Sequence, residues 1–259
     1  MIRIFILMFA INCANAQSKS NTSGLIKYDC IRELGEYKMK NSKDQKHTSQ
    51  GILLFNDIES SYFYVSVSSG QKEVQQYQNP SGKVLVSKER TKAKKYIIMD
   101  TMTIIPWKLS KDTKKIQNIE CFSAQAEYRG RVWTAWYAPS IPISSGPWKL
   151  YGLPGMILEA EDREKLIRFE CTTINVPPTS PIVIDMPMPD NPKEIPISTK
   201  KYALLAEQDI LNAEKMSATK DAQGSGQMYY SVSGIEIFAF EKNLTMKRFQ
   251  QKLSDTPKK

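Results

Sequence analysis

The stretch from Cys121 to Trp136 alternates between two kinds of side chain, and it constrains the fold more than any other part of the sequence. One parity carries mostly small or apolar residues and the other mostly polar ones, which is typical of a β-strand with one buried face. At about 3.3 Å per residue the stretch would extend about 50 Å, too far for a flat strand in a compact domain. We therefore predict one long strand bent at Gly130, because glycine tolerates the backbone angles of a bulge.

Shorter segments add further predicted elements. Alternation or apolar runs bounded by turn residues predict strands within Leu25–Leu34, Gly51–Phe55, Ser61–Val67, Val84–Val86, Tyr96–Ile105 and Ile235–Phe240. Asn56-Asp57 predicts a hairpin turn between the second and third of these segments. Ser198 is a suitable cap for a helix that runs to about Ala218, with an apolar stripe that includes Tyr202.

Residues 176–197 hold seven of the fourteen prolines and are predicted to form an irregular crossing, because proline disrupts central strands and helices. The fold class is therefore predicted as mainly β (α+β). We expect a strongly curved antiparallel sheet, of which an open or half barrel is one form, with one helix of the C-terminal half packed on it. Residues 25–245 are predicted to form a single β-rich domain.

The N-terminus has the architecture of a secretory signal peptide. Arg3 is followed by an apolar run too short to span a bilayer and then by Ala14-Asn15-Ala16, which predicts cleavage before Gln17. Lipidation at Cys13 is the alternative, and Asn12 before that cysteine fits it poorly. We expect residues 1–16 to be the signal peptide, residues 17–24 a flexible N-terminus and residues 246–259 a lysine-ended tail.

The predicted mature chain has 35 basic and 27 acidic residues, a formal charge of +8 once Arg3 is removed. Lysine runs usually form a solvated surface that favours solubility. The same charge would attract an anionic envelope lipid, glycan or acidic protein partner. No nucleic-acid-binding module is visible, so nucleic acid is not a predicted partner. No transmembrane segment is predicted in the mature chain, and we expect the protein in the periplasm or outside the cell.

Three cysteines remain after the predicted cleavage, namely Cys30, Cys121 and Cys171. An exported protein can keep disulfides, but an odd count permits at most one within the chain, and the sequence does not say which pair would form it. None of the spacings resembles CxxC. Redox catalysis and a zinc site are therefore disfavoured.

Residues 146–158 contain three glycines and two prolines and predict a turn, a short aromatic strand, a second turn and a further strand. Pro154-Gly155 suits the centre of a type II turn, in which glycine supplies the positive φ. The residues we assign to this structural motif are Gly146, Pro147, Gly152, Leu153, Pro154 and Gly155.

These residues resemble the GLPGLI family, exported proteins of Gram-negative bacteria that are named for a hexapeptide. The hexapeptide appears here as Gly152–Ile157, with Met156 in place of the second leucine. The resemblance covers residues 107–158 well and includes Trp107-Lys108-Leu109, Tyr128-Arg129-Gly130-Arg131, Ala135-Trp136-Tyr137 and Gly146-Pro147-Trp148. It implies an envelope or secreted location and no particular chemistry.

Catalytic and metal-binding signals are weak. The single histidine, His47, lies in a segment that reads as a polar loop, and neither a GxSxG nor an HExxH pattern occurs. The acidic residues Glu159, Glu161 and Asp162 could supply a carboxylate pair, but acidic residues after a strand are usually solvated. Met186-Pro187-Met188 would suit soft metals, although methionines in such loops more often cover apolar surface. No catalytic residue, metal or cofactor is predicted.

The aromatic cluster of the middle region is the best candidate site. Its members and the neighbouring arginines are Arg129, Arg131, Trp133, Tyr137, Trp148 and Tyr151. These residues could line a groove for an anionic or amphiphilic ligand. They could equally form a core in which each arginine pairs with a carboxylate such as Glu127 or Glu207. We predict a non-catalytic binding protein of the envelope, and the alternative is an unrecognised hydrolase.

Overall fold

The computed structural model describes residues 22–33, 46–65, 72–91 and 94–221. The predicted signal peptide, the strand predicted at 235–240 and the lysine-ended tail lie outside these residues, as does nearly all of the predicted flexible N-terminus. The described elements are β1 (Gly24–Glu33), β2 (Lys46–Phe55), β3 (Ser60–Val65), β4 (Lys72–Asn79), β5 (Val84–Arg90), β6 (Lys95–Thr101), β7 (Lys108–Ile116), β8 (Ile119–Tyr128), β9 (Arg131–Ala138), β10 (Met156–Asp162), β11 (Ile167–Asn175) and α1 (Thr199–Asp221).

The eleven strands form one antiparallel sheet in the order β6-β5-β4-β3-β2-β1-β11-β10-β9-β8-β7. The sheet is open, since no ladder joins β6 to β7 among the described residues. In a flat sheet β6 and β9 would lie about 38 Å apart at the usual strand spacing. Asp100 at the end of β6 nevertheless accepts a hydrogen bond of 2.8 Å from Arg129 in the turn before β9. The sheet is therefore strongly curved, and the predicted fold class is confirmed.

The long alternating stretch is a hairpin and not one bent strand. Arg129 and Gly130 form its two-residue turn, with φ of 48° and 82°, the positive values that a type I′ turn requires. Tyr128 then pairs with Arg131, and Ala126 pairs with Trp133. Even positions of β8 therefore share a face with odd positions of β9. The prediction of one continuous parity was wrong because a two-residue turn shifts the parity between its strands.

The other predicted elements are largely confirmed. β2 and β3 pair around Asn56, whose side-chain oxygen accepts from Ile58 N and Glu59 N, each over 2.8 Å. Ser198 caps α1 by accepting from Lys201 N at 3.2 Å. The helix packs at the β6 edge, where its Tyr202 hydroxyl donates to the Arg90 carbonyl oxygen over 3.1 Å.

Three strands were missed, namely β4, β7 and β11, and the first two have polar sequences. β4 reads KEVQQYQN, and β7 reads KLSKDTKKI and is exposed over most of its length. Sequence alone predicted a solvated surface for the lysine-rich run of β7. β7 is an edge strand, and lysines on an edge strand oppose pairing with other chains. Residues 176–197 are irregular as predicted, with one isolated bridge that joins Ile197 to Ile98.

Candidate functional site

Residues 139–155, called the motif loop here, run from β9 to β10 across the inner, concave face of the sheet. Three bonds fix the loop to strands of the far half. The Ser145 hydroxyl donates to the Ser60 hydroxyl of β3 at 2.8 Å. Gln78 Nε2 of β4 donates to the Trp148 carbonyl at 3.0 Å, and Lys149 lies 3.1 Å from Glu89 of β5. The predicted short strand within this loop is absent, because the polar groups of the loop form these cross-sheet bonds and the hydrogen bonds of local turns.

The four aromatic side chains of the predicted groove are buried. Trp133 has no exposed surface, and its ring centroid lies 5.6 Å from that of Trp148. The Tyr151 and Trp148 rings both pack against Tyr128, with centroids 6.2 Å apart, and Tyr137 is 6% exposed. This packing favours the core interpretation of the cluster over the groove, because the motif loop occupies the surface that a groove would need.

Both predicted arginines of this cluster are paired with carboxylates, although not with the ones expected. Arg131 Nη1 donates to Asp162 Oδ2 at 2.6 Å, and both side chains are buried. The second oxygen of Asp162 accepts from Ile167 N at 2.8 Å. Arg129 pairs with Asp100, which also accepts from the Thr199 hydroxyl at 2.9 Å. Asp100 and Asp162, rather than the examples Glu127 and Glu207, form these two ion pairs, because pairing across a curved sheet depends on its register.

Gly155 of the structural motif makes a close backbone contact that no other residue could make. Gly155 has a φ of 154°, and a Cβ there would lie 2.4 Å from the Ala138 carbonyl oxygen. Its N–H donates to the Leu153 carbonyl oxygen at 2.8 Å, which makes a three-residue γ-turn. The type II turn predicted at Pro154-Gly155 was therefore wrong, while the requirement for a positive φ is confirmed. Gly152 also has a positive φ of 93°.

A second cluster on the inner face, called the polar region here, contains buried groups that sequence reasoning did not select. Its members are Cys30 and Arg32 of β1, Ser49 of β2, Tyr62 and Tyr64 of β3, and Gln76 of β4. The register brings them together, since Cys30 pairs with Ser49 and Tyr62 pairs with Gln76. The Tyr62 and Tyr64 rings meet edge to face with centroids 5.2 Å apart.

Gln76 is the most unusual side chain of the polar region. It is 1% exposed, and neither its amide nitrogen nor its amide oxygen has a hydrogen-bond partner. Buried polar groups in folded proteins are nearly always hydrogen-bonded, because an unsatisfied one costs about 1–3 kcal/mol. Two residues along the same strand, Gln78 binds the Trp148 carbonyl. Gln78 is therefore half satisfied, since its Oε1 atom has no partner, whereas neither polar atom of Gln76 has one.

Arg32 supplies the positive charge of the polar region. Its guanidinium carbon lies 5.5 Å from the centre of the Tyr64 ring, and its Nε atom has no hydrogen-bond partner. No carboxylate of the described residues forms an ion pair with it. Burial alone would lower the pKa of Arg32, but Tyr64 and Cys30 raise it overall. The guanidinium therefore stays charged.

The other titratable groups of the polar region are neutral at pH 7. Burial raises the pKa of Cys30 and raises the pKa values of Tyr62 and Tyr64 well above 10.0. The Cys30 thiol donates to the Tyr64 hydroxyl at 3.6 Å. A catalytic cysteine needs a lowered pKa, so Cys30 is not an activated nucleophile. The polar region carries one net positive charge.

The three described cysteines are buried, free thiols. Burial raises the pKa of Cys121 to about 11 and that of Cys171 to about 12. The acidic residues considered as a carboxylate pair are engaged elsewhere, Asp162 with Arg131 and Glu159 with Lys114. His47 lies in β2 opposite Arg32 in the backbone register, so its assignment to a loop was wrong. Within the described ranges, no group of three or more His, Cys, Asp or Glu side chains could hold a metal.

A small pocket of about 280 Å³ lies on the outer face of the described sheet. Its lining residues are Ile31, Glu161, Glu164, Lys165, Leu166 and Arg168. Arg168 Nε lies 2.9 Å from Glu170, so its charge is already paired. None of the described helices is long and apolar enough to cross a bilayer.

Sequence reasoning missed the polar region because each of its strands was judged alone. Arg32 shares the parity of Tyr28 and Cys30, and Gln76 and Gln78 share one parity of β4. Polar residues at buried strand positions were a signal, but the side that faces the core is known only when the strands are paired. Aromatic density drew attention to the motif loop instead.

Comparison with known proteins gives a family match over part of the chain. A family model described as "Protein of unknown function (Porph_ging)" matches residues 127–159, which include β9, the motif loop and the start of β10. The resemblance to the GLPGLI family stays a prediction. No curated protein matches the chain significantly.

Solved structures of PNGF-II are similar in fold. The structure in space group P21 has a TM-score of 0.52 at 14% identity and covers 73% of this chain and 34% of that one. The structure in space group C2 has a TM-score of 0.50 at 13% identity, with 73% and 33% covered. The chain thus spans about a third of the length of these neighbours. At such identity the likeness concerns the fold alone.

Proposed function

We propose that the protein is an exported, non-catalytic binding protein that takes an anionic or amphiphilic ligand in the polar region. The observation that carries this proposal is Gln76, a fully buried amide with no hydrogen-bond partner. A buried polar group that lacks a hydrogen-bond partner within the fold is a natural site for a ligand. Binding then removes the free-energy cost of leaving that group unsatisfied.

Charge supports an anionic ligand. The paired region is defined as Arg129, Arg131 and Lys149 with their carboxylate partners Asp100, Asp162 and Glu89. Arg32 lies over the Tyr64 ring much as Arg129 lies over the Tyr128 ring, but it differs from the three cations because no carboxylate of the described residues pairs with it. Arginine beside an aromatic face is a common arrangement in recognition of carboxylates and phosphates.

The chemistry favours binding over hydrolysis. A hydrolytic site needs a nucleophile or activated water, a base and an orienting group in contact. Here the pKa of the Cys30 thiol is raised, and Asp162 and Glu159 are held in ion pairs. The predicted export agrees with this role, because the net positive charge would attract anionic molecules of the envelope.

Native mass spectrometry of the full chain recovered from its own host tests the proposal. We expect a bound small molecule on the wild-type protein and its loss from the Arg32→Gln variant. Arg168→Gln is the matched control. Arg168 pairs with Ile31, the residue next to Arg32, and its side chain lies on the outer face. Loss from Arg168→Gln instead would place the ligand in the outer pocket. Absence of any bound molecule would contradict the binding role, and cleavage of the released molecule by fresh protein would favour the hydrolase.

A further inference from the structure

We propose that the ligand of the polar region carries a single carboxylate, held by Arg32, and an amide group that hydrogen-bonds to Gln76. This inference rests on the proposed binding function and names the chemical class of the ligand.

The charge of the polar region fits one negative charge. Arg32 is charged, whereas Cys30, Tyr62 and Tyr64 are neutral at pH 7 because burial opposes their ionisation. A monoanion neutralises this site. A phosphate monoester, with nearly two charges at pH 7, would leave uncompensated negative charge in a largely buried place, which is costly.

The shape of the charged group favours a carboxylate. The Arg32 guanidinium packs against the Tyr64 ring at 5.5 Å, and packing against a ring leaves the edge of the guanidinium fork for a partner. That edge presents two parallel N–H donors, whose spacing matches the two oxygens of a carboxylate. The unpartnered Nε atom is one of these donors.

Gln76 determines the second recognised group. Its side chain offers two N–H donors and one carbonyl acceptor, all without a partner. An amide group of the ligand complements these atoms, because its carbonyl oxygen would accept from the Gln76 N–H and its own N–H would donate to the Gln76 oxygen. The Tyr62 ring, which pairs in register with Gln76 and contacts the Tyr64 and Phe169 rings, would contact an apolar or aromatic body of the ligand.

Isothermal titration calorimetry of the full chain at pH 7 tests the inference with three probes. N-acetyl-phenylalanine has the carboxylate, the amide and an aromatic body. Its methyl ester lacks the charge, and N-acetyl-phenylalaninol phosphate keeps the amide and the ring but replaces the carboxylate with a phosphate. We expect binding of N-acetyl-phenylalanine, and binding weaker by about tenfold or more for each of the other two.

Variants assign the two contacts. Arg32→Gln should abolish binding of N-acetyl-phenylalanine, and Arg32→Lys, which keeps the charge but not the fork, should weaken it by about tenfold. Gln76→Met should also weaken binding, whereas the Arg168→Gln control should match wild type. Thermal unfolding of each variant separates loss of binding from loss of fold, and Arg32→Lys serves if Arg32→Gln does not fold.

The outcomes separate this inference from the proposed function. Equal or tighter binding of the phosphate or the ester would overturn the carboxylate assignment and leave a binding protein. If no probe binds while the protein retains a molecule from its host, the carboxylate assignment is likewise overturned and the binding role stands. If no probe binds and no molecule is retained, both proposals fail.

Discussion

The paired region and the polar region lie on the same inner face and treat buried polar groups in opposite ways. In the paired region each cation has a carboxylate within 3.1 Å. In the polar region a charged arginine and a buried glutamine keep atoms without partners. The difference teaches that burial alone does not identify a functional site, since a satisfied buried charge serves the fold.

The largest effect is expected from the change Asp162→Asn in the paired region. Asparagine keeps the acceptor for Ile167 N but removes the carboxylate charge that pairs with the buried Arg131, which should lower the free energy of unfolding by about 3–5 kcal/mol. Urea unfolding measures this change in the free energy of unfolding. Glu159→Gln is the control, because that carboxylate pairs with Lys114 on a partly exposed surface and should contribute at most about 1 kcal/mol. Equal effects would remove the distinction between buried and exposed pairs.

High pH should destabilise the polar region. Burial raises the pKa values of Tyr62 and Tyr64 above 10.0, so above that pH the unfolded chain loses protons that the folded chain keeps. Each such group lowers stability by about 1.4 kcal/mol per pH unit. The contribution of these two tyrosines is complete below about pH 9 and should fall by a few kcal/mol by about pH 11. Denaturant unfolding across this pH range should show a shallower fall of the unfolding free energy for Tyr62→Phe. An unchanged slope would show that Tyr62 does not contribute to the loss of stability.

Low pH should act on the paired region instead. Burial opposes ionisation of Asp100, but hydrogen bonds from Arg129 and Thr199 lower its pKa below 3.8 overall. Its contribution is therefore present above pH 3.8 and is lost as the pH falls below that value. The two regions should thus fail at opposite ends of the pH range.

The change Gly155→Ala should lower stability by about 1–3 kcal/mol. The added methyl group would meet the Ala138 carbonyl oxygen at 2.4 Å, and backbone cannot move aside as a flexible side chain can. Gly82→Ala is the control, because its Cβ would meet nothing closer than 3.4 Å. Equal melting temperatures for the two variants would contradict the close approach of the motif loop to β9.

The smallest effect compares two glutamines of one strand. Gln78→Met removes the bond to the Trp148 carbonyl and should lower stability by about 1 kcal/mol, whereas Gln76→Met removes only unpartnered atoms and should be neutral or stabilising. Chemical unfolding of ligand-free protein measures both. If Gln76→Met were the more destabilising change, Gln76 would have a structural role and the binding proposal would lose its main support.

The sequence by itself determined the class of fold and several local features. Period-2 alternation predicted β-strands, Asn56 predicted its turn and Ser198 predicted the start of the helix, because each depends on residues within a few positions. It also indicated that Gly155 needs a conformation that other residues rarely adopt. These predictions were confirmed because local geometry limits the backbone whatever surrounds it.

Only the tertiary structure decided what the inner face contains. In one continuous strand Trp133 would share a face with Gln125, but the turn at Arg129-Gly130 reversed that parity. The curvature of the sheet brought Asp100 to Arg129. The sheet order also placed Arg32 and Gln76 in one region, although 44 positions separate them in the chain. Strand pairing and sheet curvature set these contacts, and both depend on the packing of the whole chain rather than on any short segment.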